Sequence, residues 1–398
     1  MPPMEPVEHD ALRAAYSRFL ATPGRILLTG HSHQAWPDVV RDALTESFDD
    51  AAQFCDDKWD KAVSLKTQAV GEAVLERMGF PRTDAIAFGR STHELLMRLV
   101  SCLPSASAAA PPVRIVTTTG EFHSMRRQLT RLAEEGFDIV RVDASPREGL
   151  AERLLAAITP GTHLVAFSAV LFEDAHVVPR LGEIIARAAE VSALCLVDAY
   201  HAFNVVPLDW GPARDHVFVT AGGYKYAAFG EGICWLRIPP GCTLRPVDTG
   251  WFADFGALEG GAKGVAYGPG GARFAGATFD PAPFYRAAAT LAHWERFGLT
   301  VHRLRALSLA QTARILARLD DAGLGADLAS ARDPERRGGF VAVRARGPAS
   351  ASEVVTRLRA QGIYVDARGD LVRLGPAPYL TDAEIDAAVL RVAAALRA

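Results

Sequence analysis

The sequence predicts an α/β protein, in which a large domain with a mostly parallel sheet sandwiched by helices precedes a small α+β C-terminal domain. Nearly continuous apolar stretches alternate with amphipathic helical stretches between residues 84 and 220, a pattern typical of a parallel sheet covered on both faces. A chain of 398 residues is also too long for one ordinary hydrophobic core. We expect an N-terminal arm with an active-site loop at 1–37, the large domain at 38–284 and the small domain at 285–398.

Periodicity and chain-breaking residues predict the individual elements. An amphipathic helix at 8–20 is followed by the breaker Pro23-Gly24, 25–37 forms a short strand and loop, and helical periodicity runs from 38 to 78. The predicted strands of the large domain are 84–88, 113–119, 138–143, 162–170, 193–198 and 216–220, with helices from 91 and at 121–136, 149–158 and 179–191. The loops are 104–112 and the Gly- and Pro-rich stretch 245–283. The small domain has predicted helices at 285–297, 301–321, 350–360 and 381–397, and strands at 338–345 and within 362–376.

Composition excludes several classes of partner. A net charge of −3 argues against a nucleic acid or an anionic membrane surface as the main partner. No apolar stretch approaches the roughly 18 residues that a membrane span needs. The N-terminus has no basic stretch followed by an apolar one, so we expect no secretory signal. The five cysteines show neither CxxC nor metal-ligand spacing, which suits reduced thiols in the cytoplasm.

Several side chains with chemical potential lie just past predicted strand ends. In parallel sheets, ligands bind beyond the carboxyl ends of the strands, and Ser91, Thr92, Phe122, Asp198 and Lys225 all fall at such positions. A helix that begins at Ser91 directly after a strand presents free N–H groups that suit a phosphate. A plain helix cap explains the same residues.

The strongest chemical signal lies in residues 194–236. Lys225 stands between two tyrosines in AGGYKYAAFGEG, a setting that suits a buried lysine whose lowered pKa makes it a nucleophilic amine. Asp198 ends an apolar strand and suits a fixed, ionised acceptor. Together they indicate a Schiff-base cofactor whose ring nitrogen is held by the carboxylate. His201 lies within reach of the same pocket, with a buried core histidine as the alternative.

Other residues are candidates for the cofactor ring and the substrate. Phe122 at a helix start is either ordinary core or an aromatic plate stacked on the cofactor. Arg373 lies in an apolar strand, where a bidentate grip on a substrate α-carboxylate would supply the anion it needs. His31 and His33 in GHSHQAW have no carboxylate or cysteine at ligand spacing, so we predict a loop on the substrate side of the active site and no metal.

At these residues the sequence resembles the fold-type I pyridoxal-phosphate-dependent enzymes of the class V aminotransferase superfamily, and within it the kynureninases. The similarity extends from about 25 to 395. DAYH at 198–201 resembles the family's D-x-x-H element and YKY at 224–226 its lysine element. TGWF at 249–252 resembles the G-W-[WF] loop, and GIYVDARGDLVRLGPAPYLTDAEI at 362–385 resembles the closing region with D-x-R and a following arginine.

The resemblance implies roles for particular residues. Lys225 would carry the cofactor, pyridoxal 5′-phosphate, and Asp198 would pair with its ring nitrogen, while His201 lies near the ring. Phe122 would stack on the ring and Arg373 would bind the substrate carboxylate. The remaining implied phosphate contacts are Ser91, Thr92 and Tyr224 in the same chain, with Trp251 and Thr278 reaching the neighbouring subunit of a homodimer with shared active sites.

The expected function follows from this resemblance. It is an enzyme that acts on a small-molecule amino acid, with kynureninase-like hydrolytic β,γ C–C cleavage as the first interpretation. GATFDP at 276–281 is closer to the cysteine-desulfurase and aminotransferase branches, which keeps an aminotransferase, epimerase or C–S lyase open. A non-catalytic protein with the same fold is the third alternative.

Overall fold

A seven-stranded mixed sheet forms the centre of the computed structural model, which describes residues 6–104, 111–257, 264–347 and 349–397. The strand order is β2-β8-β7-β6-β5-β3-β4, and pairing is parallel from β7 through β4, with β8 antiparallel to both of its neighbours. Its strands are β2 (Ala85–Gly89), β3 (Arg114–Thr118), β4 (Asp138–Val142), β5 (Thr162–Ser168), β6 (Leu194–Asp198), β7 (Val217–Gly222) and β8 (Cys234–Ile238).

Helices cover this sheet, as the alternating pattern predicted. The central strand β7 is buried along its whole length, so it needs apolar residues on both faces. The mostly parallel sheet sandwiched by helices is confirmed. The helices of this part are α2 (Val39–Phe54), α3 (Ser64–Arg77), α4 (Thr92–Val100), α5 (His123–Glu134), α6 (Leu150–Ala157), α7 (Leu181–Glu190) and α8 (Ala282–Arg296), whereas α1 (Pro6–Ala14) packs with the C-terminal part.

The helical stretch predicted from 38 to 78 is interrupted. Cys55 has a φ of 50° and caps the end of α2, and a π-helical turn at Trp59–Val63 leads into α3. Because no glycine or proline marks Cys55, periodicity alone did not show the break. The predicted helix at 8–20 ends early, since α1 stops at Ala14.

A second hydrophobic cluster lies in the C-terminal part. Its antiparallel sheet has the order β11-β12-β9, and the short strand β1 near the N-terminus pairs in parallel with β10. Leu12 and Leu28 belong to this cluster, so the N-terminal segment packs with the C-terminal part. The division at 37/38 and 284/285 stays a prediction. The elements are β1 (Ile26–Leu27), β9 (Val341–Arg344), β10 (Ile363–Tyr364), β11 (Asp366–Arg368), β12 (Leu371–Leu374), α9 (Val301–Asp321), α10 (Ala351–Ala360) and α11 (Asp382–Arg397).

Some sequence predictions fall outside the described residues or are not tested by the fold. The loop positions 105–110 and 258–263 are not described. No helix in the described ranges combines the length and apolar character needed to cross a membrane. The cytoplasmic location stays a prediction.

Candidate active site

The carboxyl ends of the parallel strands line one cavity of about 290 Å³. Because these strands run in the same direction, the loops that follow them meet at one edge of the sheet. Seven of the nine residues predicted to bind the cofactor line this cavity. They are Ser91, Thr92, Phe122, Asp198, His201, Tyr224 and Lys225.

Lys225 lies in the loop after β7 and is buried, with 6% of its surface exposed. Its Nζ shares a hydrogen bond with Nε2 of His201 at 2.8 Å and lies 4.3 Å from the ring centre of Tyr200. Burial lowers the pKa of Lys225 to about 7, and the nearby guanidinium of Arg373 adds to this effect. The side chain is therefore available as a neutral amine near neutral pH.

His201 is also buried, and burial lowers its pKa well below the usual value, with the charge of Lys225 acting in the same direction. The imidazole is therefore neutral and shares a hydrogen bond with Lys225. Its Nδ1 is buried and finds no hydrogen-bond partner in the described part of the chain. A buried polar atom of this kind indicates a missing partner.

Asp198 ends β6 beside Ser168 of β5 and Thr220 of β7. Its Oδ1 accepts a hydrogen bond from the backbone N–H of Tyr200 at 2.8 Å, while Oδ2 accepts none within the described ranges. Burial raises the pKa of this carboxyl group. A donor that carries positive charge would stabilise the carboxylate here.

Glu121 was missed by the sequence reasoning. It is 1% exposed, and its two oxygens accept hydrogen bonds from Thr118 Oγ1 at 2.5 Å and Ser168 Oγ at 2.6 Å. Burial raises its pKa to about 7, and the charge of Asp198 contributes to the rise. Glu121 lies just past the predicted strand at 113–119, so the rule that located Phe122 would also have identified it.

The phosphate candidates lie at the start of α4. Ser91 caps this helix by accepting from the Glu94 backbone N–H at 3.2 Å, and Glu94 Oε2 accepts from the Arg90 backbone N–H at 2.8 Å. The return bond from Glu94 therefore goes to the residue before Ser91. Thr92 is the first residue of α4, and Ser91, Thr92 and His93 at this helix start all line the cavity, where free backbone N–H groups suit an anion.

Aromatic side chains wall the cavity. Phe122 lies 5.3 Å from Nζ of Lys225 and makes a T-shaped contact with Phe172. Tyr224 packs on Tyr200 on one side and is stacked by His33 on the other. The predicted plate at Phe122 thus lies beside the lysine.

Arg373 is 2% exposed, and its guanidinium already has hydrogen-bond acceptors within the chain. Its Nε donates to Asp366 Oδ1 at 2.9 Å, its Nη2 donates to Asp366 Oδ2, and its Nη1 donates to the carbonyl of Phe172. His31 is fully buried and donates from Nε2 to Asp366 at 2.8 Å. His33, by contrast, is exposed and its Nε2 lies 3.8 Å from Glu231. His31 therefore binds Asp366 inside the protein, whereas His33 lies at the surface near Glu231.

Trp251 and Thr278 lie away from the lysine in this single chain. Both line a separate apolar cavity of about 1320 Å³ together with Trp59, Phe252 and Phe279. Trp251 is 42% exposed. Their predicted contact with the cofactor of a neighbouring subunit stays a prediction.

Part of the chain matches a known protein family. Residues 304–392 match the family described as the kynureninase C-terminal domain. A search of curated protein sequences found no match.

Solved structures match the chain over nearly its whole length. One is a mutant of C-DES with glycine covalently linked to the PLP cofactor, at 20% identity, TM-score 0.81 and coverage of 96% of this chain and 98% of that one. Another is the cystine C–S lyase C-DES in complex with its product cysteine persulfide, at 20% identity, TM-score 0.78 and coverage of 94% and 98%. A third is the apo cysteine desulfurase of Thermococcus onnurineus NA1, at 19% identity, TM-score 0.77 and coverage of 98% of both chains. The chain therefore has the type I fold of pyridoxal-phosphate-dependent enzymes, and its C-terminal part is similar to that of kynureninases.

Proposed function

We propose that this protein is a pyridoxal-phosphate-dependent enzyme that acts on an amino acid through Lys225. The observation that carries the proposal is a buried lysine with a pKa of about 7, 2.8 Å from His201 and in one cavity with Asp198. When bound, the cofactor supplies an electron-accepting ring.

The residues present fit this group. Asp198 has one oxygen that accepts no hydrogen bond among the described residues, and a protonated ring nitrogen beside it would offset the burial that raises its pKa. Gly222 leaves room for Cys234 and Tyr200, which line the cavity, because a Cβ at this position would overlap both side chains. Ser91 and Thr92 at the start of α4 would hold the phosphate with Tyr224, and Phe122 would cover the ring.

Side chains of this protein would transfer the proton and bind the substrate. With the cofactor and substrate bound, the Lys225 amine would take the proton from the substrate Cα and return it. A pKa of about 7 suits a group that must accept and donate near neutral pH. His201, which is neutral, orients Nζ without competing for the proton. Arg373 would bind the substrate carboxylate.

The first reaction assigned is hydrolytic β,γ C–C cleavage of the kynureninase type. The match of residues 304–392 and the DAYH, YKY and TGWF elements support it. Incubation with L-kynurenine and with 3-hydroxykynurenine is expected to release an anthranilate-type product and alanine. If neither substrate yields such a product, this reaction assignment is wrong.

A C–S lyase is the second candidate. The fold shared with the cystine C–S lyase and GATFDP at 276–281 favour it. Enzyme-bound persulfide chemistry needs a reactive cysteine, whereas Cys234 in the cavity is 3% exposed and burial raises its pKa to about 12. Screening amino acids for released pyruvate, other 2-oxo acids, alanine and sulfide separates this lyase from an aminotransferase. A change of substrate chirality would identify an epimerase.

The visible absorption of the purified protein tests the cofactor assignment itself. We expect a band that depends on pyridoxal phosphate and shifts when an amino acid is added. A band that survives Lys225→Ala, or no band at all, would contradict the assignment. A band without turnover of any amino acid would instead favour a non-catalytic protein.

A homodimer with shared active sites completes the proposal. Exposed Trp251 and the large apolar cavity that it lines with Thr278 offer a surface that a second copy would cover. Sedimentation is expected to give a dimer. Mixing inactive Lys225→Ala and Trp251→Ala chains is expected to restore partial activity, because one of the two mixed sites would then carry both native residues. No recovery from an exchanged mixture would contradict the sharing.

A further inference from the structure

A cavity of about 20 Å³ lies where the loop after β7, the loop before α2 and the helices α8 and α9 meet. We name it the polar cavity, because each of these four segments contributes one polar side chain to its lining. They are Tyr226, Gln34, Trp294 and Ser308. None of its described lining residues is charged. A volume of about 10–15 Å³ is enough for one water molecule, so the polar cavity has the size of a water site.

Each of these four side chains has one buried polar atom that finds no hydrogen-bond partner among the described residues. The atoms are Gln34 Oε1, Tyr226 Oη, Trp294 Nε1 and Ser308 Oγ. Buried polar atoms nearly always have a partner, because an unsatisfied donor or acceptor is costly away from solvent. Four such atoms around one cavity therefore indicate a partner that they share.

The contacts of two glycines place two of these atoms beside the polar cavity. A Cβ added at Gly339 would lie 2.5 Å from Tyr226 Oη and 2.7 Å from Val205, and Val205 is also a lining residue. A Cβ added at Gly30 would lie 2.9 Å from Gln34 Oε1 and 2.9 Å from the carbonyl oxygen of Pro376, which lines the cavity too. Both atoms are therefore close neighbours of lining residues.

The donors and acceptors of this group define the chemistry of the ligand. Trp294 Nε1 can only donate a hydrogen bond and Gln34 Oε1 can only accept one, whereas the two hydroxyl groups can do either. Burial raises the pKa of Tyr226, so its hydroxyl group keeps its proton. A metal cation cannot accept from the indole N–H, and an anion cannot donate to the amide oxygen. Water does both, since it accepts two hydrogen bonds and donates two.

The polar cavity adjoins both neighbours of Lys225 in the chain. The backbone N–H of Gln34 donates to the carbonyl of Tyr224 at 3.0 Å, and Tyr226 lines the cavity together with the Gln34 side chain. We propose that the polar cavity binds one water molecule, which joins Tyr226 to Gln34 and to the helices α8 and α9. The segment that carries Lys225 is then held on both sides of the lysine. The water site does not depend on the cofactor or on the reaction.

A high-resolution crystal structure of the wild-type protein tests the ligand directly. We expect one density peak at a hydrogen-bonding distance of about 2.7–3.2 Å from at least three of the four atoms. The absence of a peak, or a peak with fewer than three of these contacts, would overturn the inference.

Hydrogen exchange measured by mass spectrometry tests the effect of the water in solution. Tyr226→Phe and Ser308→Ala each remove one hydroxyl group from the cavity wall. We expect each variant to speed amide exchange in peptides covering 223–229 about 5- to 30-fold, the effect of losing one buried hydrogen bond. In Ser308→Ala the change reaches this loop from α9, although Ser308 Oγ makes no direct hydrogen bond to it in the described part of the chain.

Tyr285→Phe is the matched control, since the Tyr285 hydroxyl group donates to Asp50 at 2.7 Å and Tyr285 does not line the polar cavity. It is expected to leave exchange at 223–229 within about twofold of the wild type. A general loss of stability would also speed exchange in β6, so the comparison of 223–229 with 194–198 isolates the local effect. Unchanged exchange at 223–229 in Ser308→Ala, with folding checked by circular dichroism, would overturn the inference. The same increase in Tyr285→Phe would also overturn it.

Discussion

The substitution Glu121→Gln tests whether the carboxyl group beneath the cavity is held in an unfavourable environment. Glu121 is 1% exposed, and burial raises its pKa from 4.5 to about 7. The native state therefore binds the proton more tightly than the unfolded chain does. Protonated Glu121 therefore contributes fully to the free energy of unfolding below about pH 4.5, and this contribution is lost as the pH rises through about 7.

The size of the effect follows from the shift. A change of about 2.5 units corresponds to roughly 3 kcal/mol at about 1.4 kcal/mol per unit. The glutamine side chain introduced at this position would resemble the protonated glutamate in shape and charge, and would still bond to Thr118 and Ser168. The variant is therefore expected to match the wild type near pH 4 and to exceed its free energy of unfolding by up to about 3 kcal/mol near pH 8.

Urea denaturation of both proteins without cofactor, at a series of pH values, measures this difference. Glu134→Gln, at the exposed end of α5, is the control for a generic loss of negative charge. A stability difference between Glu121→Gln and wild type that does not change with pH would refute the reasoning. It would mean that Glu121 is ionised at little cost in the folded protein.

Three further predictions address the lysine, the glycine loop and a buried ion pair. Pyridoxal phosphate reacts with the neutral amine of Lys225, so its rate of addition is expected to rise about 10-fold per pH unit below pH 7 and to level off above it. Trapping by borohydride measures this rate. Gly222→Ala is expected to destabilise the protein by about 1–3 kcal/mol, because the added Cβ would overlap Cys234 and Tyr200. Gly256 has open space around it, so Gly256→Ala is expected to leave the stability unchanged. Thermal melting of both variants measures the difference. Asp84→Ala is expected to lower the free energy of unfolding by about 3–5 kcal/mol, because fully buried Arg237 loses its carboxylate at 2.6 Å and keeps only exposed Asp215 at 3.7 Å; a loss below about 1 kcal/mol would contradict this.

Much of the cavity was predictable because it depends on local rules. Apolar stretches located β6 and β7, and the position of a polar residue at a strand end identified Asp198 and Lys225. Ser91 followed from its capping pattern. These inferences need only the residue order and the rule that parallel strands present their carboxyl ends at one edge.

The sequence by itself therefore determined the type of fold and identified Lys225 and Asp198 as candidate residues, since each depends on hydrophobic periodicity and chain direction. Only the tertiary structure decided what surrounds them. Glu121 contacts Ser168 across 47 positions, and Arg373 meets the carbonyl of Phe172 across 201. Burial also set the pKa of Lys225 near 7, because desolvation depends on every segment that packs over the side chain. Such contacts join residues that no local pattern connects, so they appear only when the chain is folded.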